Sequence, residues 1–247
     1  MKLPVKLANV PIVEAVFEIR FKAAVPTSSV LPGLFFTSLA GSKTFQRLPA
    51  AEIPEVMRNA DPNLQYAPLV ALTWNEKYSI QIGDRSLGVA CKLPYPGWSE
   101  FKKQILELVK VVTEANVLTS VERCSLKYTN IIPSDLGSLP DIAAIDLKIG
   151  TQEAHRGHLQ IRADLLDGEA IHIVQIVSEG TTTLIGGRSI TGVVIDVDTV
   201  RNFESVKPAD FADQLLNSID DLHTKTKRVF FSCLKPQALE KLGPTYA

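Results

Sequence analysis

The sequence predicts an α+β protein, with an antiparallel-rich sheet laid out in two strand-then-helix halves that pack as one unit. Three observations predict it. The stretch VPIVEAVFEIRF at 10–21 alternates without a break: Val13, Ala15, Phe17, Ile19 and Phe21 fall on one face, and Glu14, Val16, Glu18 and Arg20 on the other. Period two is the signature of a half-buried strand. Further strand-like runs follow one another with turn residues between them. Each series then ends in a long run with helical periodicity, one from 98 and one from 208.

After the first strand, Thr27, Ser28 and Ser29 offer helix caps before LPGLFFTSLA, with Pro32-Gly33 near the helix start. From 41 to 68 the chain is broken by Pro49, Pro54, Pro62 and Pro68. This reads as a long surface connection with one short turn of helix near 52–58. A connection of this length inside a domain is functional or only partly ordered. It is a candidate lid or partner contact, or plain surface decoration.

Three strands at 69–75, 77–82 and 86–93 form a meander, with turns at Glu76 and Gly83-Asp84. Pro96-Gly97 ends it. The helix at 98–115 repeats Phe101, Ile105, Leu108 and Val112 on one face and sets Lys102, Lys103, Glu107 and Lys110 off it. Gly97 or Ser99 is its expected cap, and Glu100 suits the helix dipole. A strand at 121–132, VERCSLKYTNII, closes the first half.

PSDLGSLPD at 133–141 is the best internal boundary, which gives an N-terminal α+β half at 1–134 and a β-rich half at 135–247. Strands are expected there at 145–149, 157–166, 169–178 and 189–199, with a hairpin at Asp167-Gly168 and a second turn at 180–187. A final helix starts at Pro208, a favoured first-turn proline, and carries Phe211, Leu215, Ile219 and Leu222 towards Phe230.

The chain has 247 residues, with 26 basic and 27 acidic, for a formal net charge of −1. That balance argues against a dedicated nucleic-acid or anionic-membrane binder, which carries a net basic footprint. Cys91, Cys124 and Cys233 are far apart and sit in apolar or amphipathic runs, as free thiols in a reducing compartment do. No run approaches the roughly 20 apolar residues of a membrane span, and the start has no signal-peptide core. The expected location is the cytoplasm.

No constellation of residues specifies a reaction, and the expectation is no cofactor, no metal and no catalytic residue. His155 and His158 point to opposite faces if they lie on a strand. His172 sits in an apolar run, as a hydrogen-bonded core histidine does. His223 lies near Asp220 and Asp221, on what reads as a solvated helix face. Gly186-Gly187-Arg188-Ser189 lacks the second glycine of a nucleophile elbow and reads as a hairpin turn or a backbone anion cradle. Tyr66, Trp74, Tyr78, Tyr95 and Trp98 would stack bases beside Lys77 and Arg85, or pack the core.

The polar face of the first strand is the candidate site. Glu14 and Glu18 share it with Arg20, and the later strand offers Arg123 and Lys127 at the same spacing. If the two strands pair, these residues form a ladder of cross-strand ion pairs. The functional alternative is a polar cleft floor covered by the 41–68 connection.

PIVEAVFEIRF at 11–21, QIG at 81–83, YPGW at 95–98, RCSLKYTNII at 123–132 and the terminal helix with its central His before FFSCL occur in this order. Together they resemble a sporadically distributed family of uncharacterised prokaryotic proteins of about this length, across nearly the whole chain. Lys127 stands where that pattern has Arg before Tyr-x-Asn. The resemblance implies a bacterial or archaeal cytosolic protein inherited patchily, as genes of mobile and host-defence clusters are. Two functions follow as expectations. One is a non-enzymatic binding or interaction protein, part of a multi-protein prokaryotic system such as antiphage defence, with a protein partner or self-association. The alternative is a nucleic-acid-binding or processing accessory, and an enzyme of unrecognised type comes third.

Overall fold

In the computed structural model, residues 2–154, 157–184, 187 and 189–246 are described. A short strand β1 (Lys6–Leu7) precedes β2 (Ile12–Ala23), the strand marked by the period-two pattern. Ala15, Phe17, Ile19 and Phe21 are at most 1% exposed, while the residues between them stay half-buried or exposed.

Helix α1 (Thr27–Ser38) follows. The hydroxyls expected to cap it do something else. Thr27 donates to the Gly83 carbonyl at 2.6 Å, and Ser28 donates to Asp84 Oδ1 at 2.6 Å, so both tie the helix start to a later turn. Pro26 occupies the cap position without a side-chain bond.

The 41–68 stretch is more built than its prolines suggest. It holds β3 (Lys43–Arg47), a 3₁₀ turn (Pro49–Glu52) and α2 (Glu55–Ala60). The meander is β4 (Val70–Trp74), β5 (Tyr78–Ile82) and β6 (Ser86–Cys91). β3 pairs antiparallel with β4, from Lys43 opposite Trp74 to Arg47 opposite Val70. KTFQR has one apolar residue and no alternation, so periodicity does not mark it as a strand.

α3 (Trp98–Glu114) buries Phe101, Ile105, Leu108 and Val112, the predicted stripe, from an N-cap at Gly97. β7 (Leu118–Pro133) is next. The expected boundary stretch is itself ordered, as a 3₁₀ turn (Ser134–Leu136) and α4 (Leu139–Ile142). A capping box holds it: the Ser138 hydroxyl and N–H donate to Asp141 Oδ2 at 2.7 and 2.9 Å. Those bonds keep the Asp141 carboxyl below its ordinary range.

The remaining elements are β8 (Lys148–Ile149), β9 (Gln152–Glu153), β10 (Gln160–Asp167), β11 (Ala170–Thr183), β12 (Ser189–Val206), α5 (Pro208–Ser232), α6 (Pro236–Lys241) and β13 (Pro244–Thr245). The fold is α+β. Among the described residues one nine-stranded sheet runs β10-β11-β12-β7-β2-β6-β5-β4-β3, and β1-β13 and β8-β9 form two small antiparallel pairs. The Asp167-Gly168 hairpin is present: Asp167 faces Ala170 across a two-residue loop, and Gly168 takes φ +61°.

The chain's contacts divide it into two compact units. One comprises 1–15, 126–200 and 221–247, and the other 16–125 and 201–220. The expected 134/135 boundary therefore falls inside the first unit. β2, β7, β12 and α5 each contribute residues to both units, so no single cut in the chain follows the division.

In the first unit, Ile132, Ile142, Ile195, Val197, Phe230 and Phe231 anchor one buried cluster. Gly192 is required beside it, because a Cβ there would lie 1.9 Å from the Ile132 carbonyl oxygen. In the second unit, the largest fully buried side chains include Trp74, Tyr78, Phe17, Phe21, Phe35, Phe101 and Phe211.

Candidate functional site

Polar residues of β2 and β7 occur in both units. In the first unit Lys127 Nζ lies 3.2 Å from Asp196 Oδ2 and 3.4 Å from Glu14 Oε2. Thr129 donates to the same Asp196 oxygen at 2.6 Å. Asp196 and Thr129 complete the cluster, and neither was among the candidate residues. Asp196 stands in the apolar run VVIDVDTV and is only 6% exposed, which is the signal that would have marked it.

Burial pulls the Lys127 ammonium down, but the charges of Asp196 and Glu14, with their hydrogen bonds, outweigh that and raise it above its ordinary range. A lysine held protonated in this way is neither a general base nor a nucleophile. The chemistry the cluster supports is ion pairing.

The roles of the two carboxylates differ in a measurable way. Asp196 is buried, whereas Glu14 has a half-exposed side chain. Lys127→Met strands the Asp196 carboxylate and is expected to cost about 2–3 kcal/mol, less than a fully buried pair because Lys127 retains some solvent. Glu14→Gln is expected to cost about 1 kcal/mol or less. Urea melts of the two variants check this; equal costs would mean that Asp196 does not depend on Lys127.

In the second unit Glu18 pairs with Arg20 on its own strand, Nε to Oε1 at 2.8 Å. The Arg20 guanidinium lies over the Tyr66 ring, 4.3 Å from its centroid, a cation–π contact. Lys22 meets Glu122 at 2.9 Å. Arg123 is half-buried on β7.

The remaining chemistry-bearing residues have structural partners. His172 is buried, with Nδ1 2.9 Å from Thr199 Oγ1 and Nε2 3.4 Å from Asp167 Oδ2. Thr226 Oγ1 continues the chain 2.7 Å from Thr199 Oγ1. His172, then Lys225, hold the Asp167 carboxyl below its ordinary range. His223 does not lie on an open solvated face: it is half-buried, with its ring edge-on to Tyr128. His158 Nδ1 lies 3.5 Å from Ser178 Oγ. His155, Gly186 and Arg188 lie outside the described residues. Among the described residues no three His, Cys, Asp or Glu side chains come together as a metal site would need.

The aromatic residues are engaged within the protein. Trp74 and Tyr78 are buried against each other, and Trp74 Nε1 donates to the Ala40 carbonyl at 2.9 Å. Burial, then Cys91 and Glu100, pushes the Tyr78 phenol up to about 12. Tyr95 packs edge-on to Phe101, and Trp98 Nε1 donates to Asp220 Oδ1 at 2.8 Å. Burial raises the Cys91 thiol to about 12 and the Cys233 thiol to about 11, which removes the thiolate needed of a nucleophile.

One surface has the opposite character. No residue from 40 to 68 is buried, although the segment contains a strand and two helical pieces. Polar contacts hold it. Leu48 N–H donates to the Leu69 carbonyl at 2.9 Å, the Ser86 hydroxyl donates to the Tyr66 carbonyl at 2.8 Å, and Arg58 pairs with Asp84 at 3.2 Å. α2 is inverted relative to an ordinary surface helix. The Arg58 side chain is 13% exposed, whereas Val56 is 81% and Met57 61% exposed. Phe45 on β3 is 52% exposed.

No family model matches the chain, and no curated protein matches it closely enough to establish kinship.

Proposed function

We propose that the protein is a non-enzymatic interaction module whose 40–68 segment docks a protein partner within a multi-protein prokaryotic system, of the kind antiphage defence clusters encode. The observation that carries this reading is the inverted helix α2, with its cation turned inward and Val56 and Met57 turned to solvent. Ordering a residue's backbone costs about 1–2 kcal/mol. A segment ordered without fully burying any apolar side chain of its own recovers that cost when a partner covers Val56 and Met57. The engaged aromatics, the raised thiols and the protonated Lys127 fit a protein without a reaction centre. The prokaryotic, cytoplasmic setting rests on the ordered signatures from 11–21 to the terminal helix. Among the described residues no helix is long and apolar enough to cross a membrane.

The test is co-purification with the products of neighbouring genes. Val56→Asp with Met57→Asp is expected to lower partner affinity by at least tenfold and to leave the melting temperature unchanged, since neither side chain is buried. Undiminished binding by this variant would remove the segment from the interface. Affinity for mixed-sequence DNA or RNA that falls steeply with salt would replace the reading with the nucleic-acid accessory.

A further inference from the structure

We infer that the outer edge of β10 is a self-association surface on which a second copy of this chain pairs antiparallel, strand β10 against strand β10. β10 is a terminal strand of the sheet, hydrogen-bonded on one side to β11, and no described strand lies on its other side. An unprotected edge is a template for another strand. Natural edges are shortened, bulged, broken by proline or given charges; QIRADLLD carries charges, but Arg162 and Asp164 are of opposite sign, and it pairs with β11 over all eight residues without a register break. Six of its residues are exposed, among them Leu165 at 47% and Leu166 at 82%.

The hairpin defines what this edge offers. Asp167 and Ala170 flank a two-residue loop, so they form a hydrogen-bonded pair. Bonding direction alternates along an antiparallel strand. Asp167, Leu165, Ala163 and Ile161 therefore turn their backbone groups to β11. Gln160, Arg162, Asp164 and Leu166 turn theirs outward and leave a free row of donors and acceptors.

The sequence on that row is complementary to itself in one register. With Ala163 opposite Ala163 of the second copy, Arg162 faces Asp164 twice, and both are outward-bonding residues. Ile161 then faces Leu165 twice on the other face. Arg162 and Asp164 are solvent-exposed and already pair along the strand at 3.3 Å, so exchanging partners costs little burial. A shift of the two-fold centre by one residue sets Arg162 against Arg162 or Asp164 against Asp164. Like charges directly opposite are destabilising, and a shift by two sets Arg162 against Gln160 or Asp164 against Leu166, so the Ala163-centred register is the one that opposes Arg162 to Asp164. Charge complementarity thus names a second copy as the occupant.

Sedimentation and light scattering across a concentration series test it. Wild-type chain at about 100 μM is expected at twice the 27.0 kDa of one chain. D164R, which places two arginines opposite each other, is expected to weaken the dimer at least tenfold with an unchanged melt. R162D/D164R restores the opposite charges and is expected to restore the dimer. A163C is expected to cross-link to itself on mild oxidation, because the two residues at the two-fold centre would be a close non-hydrogen-bonded pair. A monomeric wild type at that concentration, or a dimer indifferent to D164R, would overturn the inference.

Discussion

Phe17→Ala is expected to destabilise the protein by about 3–5 kcal/mol, a large part of the total stability of an ordinary domain. Phe17 is 1% exposed and is one of the largest fully buried side chains. It lies on β2 between Ala15 and Ile19 on the buried face, so its loss opens a cavity that a strand flanked on both sides in the sheet cannot collapse to fill. Glu18 is the control one residue away. It faces the opposite side, pairs with Arg20, and has a side chain 30% exposed. Glu18→Ala is expected to cost about 1 kcal/mol or less. Thermal and urea melts of both variants decide the matter. The reverse ranking would mean that the buried and open faces of β2 have been exchanged.

The contrast between these neighbours shows what the sequence makes legible. A strand with one buried face writes its environment at every second residue, so β2 and the meander can be read directly, and the α3 stripe follows from period 3.6. β3 writes nothing, because an edge strand with no buried residue needs no apolar alternation. The helix start at Thr27 misleads for a different reason. A hydroxyl can satisfy a distant carbonyl as well as its own helix, and Gly83 is 56 residues away. The Pro/Gly/Ser-rich 133–141 stretch is similar: its turn residues are real, but a capping box folds them into an element.

The candidate site was legible in part for the same reason. Glu14 and Lys127 lie on polar strand faces, and pairing of the strands brings their charges within 3.4 Å. Asp196 enters from a third strand, so local pattern alone does not place it in the cluster. Val56 and Met57 read as ordinary helix residues. Only the inward placement of Arg58 shows that α2 faces the wrong way for a helix serving its own core.

Removal of residues 208–247 is expected to abolish cooperative folding and to give an insoluble or molten product. α5 supplies Phe211, Leu215 and Ile219 to the second unit and Leu222, Phe230 and Phe231 to the first, and of these only Phe230 and Phe231 exceed 2% exposure. Burying such side chains contributes roughly 1.5–3 kcal/mol each, so the stripe together matches or exceeds the 5–15 kcal/mol by which a domain is stable. The loss is not confined to apolar contact. In the first unit the Cys233 carbonyl accepts from Ala144 N–H at 2.8 Å, and the Lys235 N–H donates to Ile142 at 2.8 Å, so the cut also opens the α4 region. Thr199 and His172 would be left with a buried polar chain missing Thr226. Circular dichroism and calorimetry of the 1–207 fragment measure the outcome. A fragment with a sharp two-state melt would mean that the sheet closes its own core and that α5 is held in place for a partner.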